Sequence, residues 1–334
     1  MASREIHGRF SVACFVFTLM TLPAGCVLLP TDTAISKPRP VDGGPRIAGC
    51  PVFPRDNIWN QKIDRLPVHP RSRDYVASIG SDRTFHPDFG SGEWPPGSGK
   101  AIGIPYMVVD RGQSKRPFEF KYAAESDPGP YPVPPNPAVE GGSDRHVLLV
   151  QRGTCKLFEI FDYHEKNGRL FGGSGAIFDL NSNKLRPDGW TSADAAGLPI
   201  FPGLVRYEEV AAGKIAHAIR FTAPRTQKAY VWPGRHYASH RKEKRLPPLG
   251  QHFRLKASYD ISKFSPKNQV ILRAMQEYGI ILADNGSAWF LSGAPDQRWN
   301  NSELRQIKRL RGRDFEAVDV SGLMADRDSG RARK

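Results

Sequence analysis

Glycine and proline interrupt this chain often: its 32 Gly and 29 Pro are spread among short alternating apolar stretches. That pattern favours many short strands joined by turns over disorder. Candidate strands lie at 102–109 (IGIPYMVV), 117–122, 146–151, 155–162 and 174–180, with more at 214–223, 228–232, 252–256, 280–284 and 288–292. Helical spacing is confined to four places. They are 72–80, which opens on Ser72; 207–212; the run from Ser265-Pro266 to Gly279; and the basic stretch 302–311. The expected architecture is mainly β, an antiparallel β-sandwich or jelly-roll-like single domain with a few short helices.

The chain opens with Arg4 and Arg9, then an apolar run from Phe10 to Leu22 that closes on Leu-Pro-Ala-Gly-Cys. This is the layout of an export signal over residues 1–26. A membrane span needs ~20 apolar residues, more than this run supplies. Cys26 after Ala24-Gly25 also fits the lipidated cysteine of a bacterial lipoprotein, although Pro23 departs from the usual Leu. The expected location is therefore the periplasm or the outer membrane as a lipoprotein, or the medium after release. Residues 27–48 form a Pro/Gly-rich tether, residues 49–322 the domain, and 323–334 a basic tail expected to fray.

Export changes the meaning of two other features. A net charge of +14 would suggest nucleic acid in a cytosolic protein. In an exported one it points instead to an acidic polysaccharide or an anionic envelope surface. Much of that charge is local, in RHYASHRKEKR at 235–245 and in the last thirty residues, and is expected to be solvated. Cys50 and Cys155 remain once the export region is set aside. In an oxidising compartment they form a disulfide, the alternative being two free thiols.

One predicted hairpin brings ionisable groups together. Val150 and Cys155 flank the turn QRGT, a register that sets His146 opposite Glu159 and Leu148 opposite Leu157. Directly opposed β-carbons lie ~4.5–5.5 Å apart, so an imidazole and a carboxylate would share an apolar face. In KIAHAIRF, His217 likewise falls on a face with Ile215, Ile219 and Phe221. A hydrogen-bonded core histidine is the commoner reading of such a position. Asp194, in WTSADAAG, and Asp284, in DNGS, are further acids, with helix capping and turn formation as their plainer roles. Asp179 and Asp88, the latter beside His86, are weaker candidates. The Pro-rich loop 125–143 is long for a compact domain, and loops of that length are often functional.

These groups suit two chemistries. Paired carboxylates suit glycoside hydrolysis. A histidine base, a tyrosine acid such as Tyr163 or Tyr237, and Arg220 or Arg235 neutralising a uronate suit a polysaccharide lyase. The catalytic candidates are His146, Glu159, His217, Asp194 and Asp284. Trp190, Arg220, Arg235 and Tyr237 are candidates for holding substrate. A His146–His217–Glu159 metal site is conceivable on a β scaffold, but no local spacing demands it. The chain has no Walker loop, dinucleotide fingerprint, HExxH, zinc-type cysteine pair or nucleophile elbow, and no cofactor is expected.

The blocks at 190–222, 230–239 (YVWPGRHYAS) and 274–299, with CPVFPRDNIWN, HPDFG and DRHVLLV, resemble a largely uncharacterised family of secreted bacterial proteins. The resemblance covers most of residues 50–320. It implies an exported single domain, joined in some larger relatives to carbohydrate-binding modules, and it carries over no catalytic residue. The combined expectation is an exported or lipid-anchored protein that cleaves glycosidic bonds. A non-catalytic glycan-binding or envelope-structural protein is the alternative.

Overall fold

The structure, a computed structural model, describes residues 44–333, so the export signal, Cys26 and most of the tether lie outside the described residues. A two-residue hairpin, β1 (Arg46–Ile47) and β2 (Cys50–Pro51), is followed by α1 (Ser72–Ile79) and β3 (His86–Asp88). Next come β4 (Tyr106–Val109) and β5 (Phe118–Phe120), then, past the Pro-rich loop, β6 (Val147–Gln151) and β7 (Lys156–Phe161). The first half closes with β8 (His164–Lys166), β9 (Arg169–Gly172) and β10 (Ser174–Asp179). The second half carries α2 (Tyr207–Ala211), β11 (Ile219–Ala223), β12 (His252–Leu255) and α3 (Pro266–Glu277). It ends with β13 (Ile280–Asn285), β14 (Phe290–Ser292), α4 (Asn301–Leu304) and β15 (Phe315–Val318).

The strands make four sheets: β1-β2, β10-β7-β6-β4, β15-β12-β13-β11-β14-β3 and β5-β9-β8. The fold is mainly β, as expected, but it is not a single antiparallel sandwich. β4–β6, β5–β9, β11–β13 and β14–β3 are parallel pairs. Parallel neighbours need connections of a dozen or more residues, which local alternation cannot reveal.

The four-stranded sheet is buried on both faces, and every residue of β6 is buried. Leu148, Val150, Leu157 and Phe178 join the main core, with Ile219, Phe221 and Ile281 of the six-stranded sheet and Ile271 and Met275 of α3. Val147, Leu149, Phe158 and Ile160 pack in a second core with Tyr131 and Val133. The Pro-rich loop thus covers one face of a sheet. In the main core Trp289 is fully buried, its ring 5.0 Å from Phe85 and 5.5 Å from Phe221, and its indole N–H donates to the Gly80 carbonyl.

Several local expectations change. The β6–β7 pairing sets Leu148 opposite Glu159 and Val150 opposite Leu157, two residues away from the predicted register. Gln151 pairs directly with Lys156, leaving a four-residue loop whose Gly153 and Cys155 take positive φ of 78° and 52°. A shift of two keeps every side chain on its predicted face. Ser72 does not cap α1; its hydroxyl accepts the Ala317 N–H. Only Ile219–Ala223 of the 214–223 run is a strand, and 228–232 makes a single bridge, Tyr230 to Leu249.

Cys50 and Cys155 are joined as a disulfide, tying the first hairpin to the β6–β7 loop. Such a bond fits a protein folded outside the reducing cytosol. Chain entropy assigns a loop of this size a nominal ~4–5 kcal/mol. Among the described residues no helix is long and apolar enough to cross a membrane.

The described residues belong to one compact unit. It starts before residue 49, because Arg46 and Ile47 pair with Pro51 and Cys50. The basic C-terminal segment does not fray. Met324 bridges Ala332, Asn57 bridges Arg331 and Lys184 bridges Ser329, while Arg327 and Arg331 pair with Asp188 and Asp56. The carboxylates that receive these charges are far away in sequence, so composition alone reads as a loose tail.

Candidate functional site

The site begins with a buried arginine on β11. Arg220 is 5% exposed, and its Nε and Nη2 donate to the two oxygens of Asp194 at 2.7 and 2.8 Å. Its Nη1 donates to Ser292 Oγ of β14 at 2.6 Å, and Nη2 lies 3.6 Å from Asp284 of β13. The three strands are neighbours, and the β11–β13 register shifts between Phe221 and Thr222, so that Thr222 pairs with Asp284. An irregularity of this kind re-aims the side chain beside it. Asp194 is therefore neither free nor a helix cap. It is the anchor of a two-pronged ion pair.

Asp284 differs from Asp194. Its side chain is 22% exposed. Burial, then the charge of Asp194, push its pKa up to about 8, against the pull of Arg220. Desolvation and a nearby like charge both disfavour the anion. These effects favour the protonated carboxylic acid, and Asp284 faces a recess of about 370 Å³. Glu125, Thr191, His236 and Asn285 also line that recess. Glu125 accepts the Thr191 N–H at 3.1 Å, and its Oε2 lies 3.8 Å from His236 Nε2. His236 Nδ1 is 2.8 Å from the Ala195 carbonyl oxygen, which only an Nδ1–H can satisfy. In the neutral ring this leaves Nε2 as the acceptor, aimed toward Glu125.

A backbone that turns tightly positions this wall. Gly197 has a φ of 69°, and a Cβ there would run into the Trp190 carbonyl oxygen. Glu159, wholly buried on β7, accepts the Ile200 and Phe201 N–H groups at 2.9 Å each. Burial pushes its pKa up to about 7, and those two amides pull it back. It holds the 194–201 loop against the sheet and does not reach the recess.

His146 is equally occupied. Its Nδ1 lies 2.6 Å from Glu140 Oε2, and its Nε2 lies 3.0 Å from the Ala193 carbonyl oxygen. Burial lowers its pKa, but the charge and hydrogen bond of Glu140 outweigh this and raise it to about 9. It is a fixed cation rather than a base. His217 belongs elsewhere: Nε2 is 3.1 Å from Glu209, Nδ1 is 2.8 Å from the Ala218 carbonyl oxygen, and Arg206 holds the same glutamate at 2.6 Å. The expected His146–Glu159–His217 centre is thus not assembled. Each is buried on separate partners, and among the described residues no group of three His, Cys, Asp or Glu is arranged for a metal.

Of the predicted substrate-holding residues, Arg220 and Arg235 are buried and saturated. Arg235 binds the Arg186 and Arg327 carbonyls at 2.8 Å each and Asp328 at 2.6 Å. Trp190 lies under the Arg186 guanidinium, 5.5 Å away. Tyr237 stacks parallel to His236 with ring centres 5.7 Å apart. The structure does bring Asp194, Arg220 and Asp284 together. Sequence reading missed His236, inside a run read as solvated, and Glu125, on the Pro-rich loop flagged as a whole.

A second recess, of about 570 Å³, is lined by His86, Asp88, Trp94, Glu140 and Lys308. Trp94 is 70% exposed there. Glu140 connects the two regions, since it lines this recess and grips His146, whose other nitrogen reaches Ala193 beside Asp194. Burial favours its protonation, but the His146 cation outweighs this and holds Glu140 below the usual carboxylate range. No family model matches this chain, and neither does any curated protein or solved structure.

Proposed function

We propose that this chain is an exported hydrolase that cleaves glycosidic bonds in an extracellular or cell-envelope polysaccharide. The observation that carries the reading is Asp284, a part-exposed carboxyl on the wall of an open recess, where burial and the charge of Asp194 favour its protonated form. Protonating a glycosidic oxygen needs such an acid, because the leaving alkoxide is otherwise too basic. On the same recess, Glu125 Oε2 and His236 Nε2 are two acceptors 3.8 Å apart. A water bound between them by its protons is oriented and deprotonated as its oxygen bonds to the anomeric carbon. Asp284 gives its proton to the departing oxygen as the carbon–oxygen bond breaks. The proton taken from water then returns to Asp284, and hydrolysis is balanced.

Asp194 and Arg220 are positioning residues that tune Asp284 without touching substrate. Elimination is the weaker reading, since a lyase needs a cation free to neutralise a uronate and both Arg220 and Arg235 are saturated internally. Exposed Trp94 supports a non-catalytic alternative, glycan binding alone, because sugar rings stack on such faces.

Incubation with a panel of neutral and acidic glycans, read by new reducing ends and by unsaturated-uronate absorbance, tests the assignment. Reducing ends without that absorbance, lost in Asp284→Asn, are the expected result. Equal cleavage by that variant overturns it, and binding without cleavage leaves the glycan-binding reading.

A further inference from the structure

The run at 235–245 carries the chain away from His236 and into a third recess, of about 400 Å³, lined by Arg71, Tyr75, Gln227, Lys228, Lys242 and Lys244. All four cations are exposed. Among the described residues none of the four has a carboxylate within salt-bridge distance. The nearest acid along the run, Glu243, faces Arg241 at 3.7 Å. Asp74 follows Arg71 on the first turn of α1.

The recess is a shaped surface rather than a loose basic loop. Arg71 donates to the Lys244 carbonyl, the Lys228 N–H to the Arg241 carbonyl at 2.6 Å, and the Gln227 N–H to the Pro247 carbonyl at 2.9 Å. Ser239 donates to the Thr226 carbonyl at 2.7 Å, closing the segment on itself. These bonds hold like charges together around a concavity, an arrangement that repels itself unless an anion sits among them.

The recess is also physically linked to the proposed active site. Tyr237 stacks on His236, and the Lys228 ammonium lies 5.8 Å from the centre of the Tyr237 ring. One aromatic ring thus separates the Asp284 recess from the basic one. We infer that the basic recess is a distal subsite for an anionic polysaccharide, whose chain leaves the Asp284 recess past Tyr237 and places its carboxylate, sulfate or phosphate groups among Arg71, Lys228, Lys242 and Lys244. The inference rests on the proposed glycosidase reading for the path of the chain, but its test measures binding and needs no turnover.

Polygalacturonate, the same polymer after reduction of its carboxyl groups, and phosphatidylglycerol vesicles are the three probes, with dissociation constants measured at two salt concentrations. The triple variant Lys228→Gln/Lys242→Gln/Lys244→Gln should weaken polygalacturonate binding about tenfold, more at low salt than at high salt. A charge-matched control, Lys166→Gln/Lys184→Gln/Lys263→Gln, should leave it within about twofold, because those exposed lysines lie elsewhere on the surface. Equal losses in the two variants would reduce the effect to net charge and overturn the subsite. Equal affinity for the carboxyl-reduced polymer overturns the anionic assignment. Vesicle binding that the triple variant abolishes, with the glycan unaffected, overturns it in favour of a membrane surface. Cleavage lost in Asp284→Asn with no effect of the triple variant sinks the subsite and leaves the hydrolase. Salt-sensitive binding without any cleavage does the reverse.

Discussion

Two buried charge clusters in this protein use nearly the same residues to different ends. In one, Glu209 is shared by Arg206 and His217, and the second nitrogen of His217 meets the Ala218 carbonyl. Every charge has an internal partner. In the other, Arg220 gives two hydrogen bonds to Asp194 and one to Ser292, and Asp284 has only a longer 3.6 Å contact with the same guanidinium. The first cluster is closed and holds the fold. The second carries one carboxyl too many, and that surplus group faces a recess. Burial by itself therefore does not single out a candidate; a carboxyl without a full ion-pair partner beside open space does.

The contrast is broken most sharply at the surplus group. Asp284→Asn should lower kcat on a cleaved glycan by about 10²–10⁴ with little change in KM. In the wild type, kcat should fall as pH rises through about 8, where Asp284 loses its proton. A flat alkaline limb would refute the assignment. The closed cluster should respond in the other currency. Glu209→Ala leaves the buried Arg206 guanidinium without its carboxylate and should cost about 3–5 kcal/mol in chemical denaturation. The activity of the folded fraction should stay unchanged.

Stability of Asp284→Asn gives a third test. The unfolded chain releases this proton near the ordinary 3.8, while the folded protein keeps it to about 8. The folded state thus binds more protons across that window, and this group's contribution to stability declines as pH rises through it. The variant should match the wild type near pH 4 and gain in Tm progressively toward pH 8. A constant difference at all pH values would show that Asp284 is ionised. The smallest effect belongs to Trp94→Ala, expected to raise KM about threefold to tenfold and leave kcat intact, as the loss of one stacking face would.

The elements most legible in the sequence were those whose signals are local. The β6–β7 hairpin, α3 with its Pro266 start, and the Cys50–Cys155 pair all follow from spacing or compartment. The parallel pairs were not legible, because β11 and β13 are separated by β12 and α3. The same reason governs the site. Asp194 and Asp284 stood out as acids in irregular segments, but only the sheet order shows that Arg220 joins them. His146 and His217 both lie just before a strand rather than on one of its faces, and the structure favours the commoner reading of a satisfied core histidine. His236 gave no periodic signal at all, since its neighbours suggested a charged loop.

Arg235 immediately precedes His236 and is clamped by the Arg327 carbonyl and by Asp328. The loop that presents His236 is thus steadied by residues some ninety positions further along the chain. A chain arrested or trimmed before residue 327 would still carry Asp284, Glu125 and His236, yet it would lack the brace that fixes the last of them.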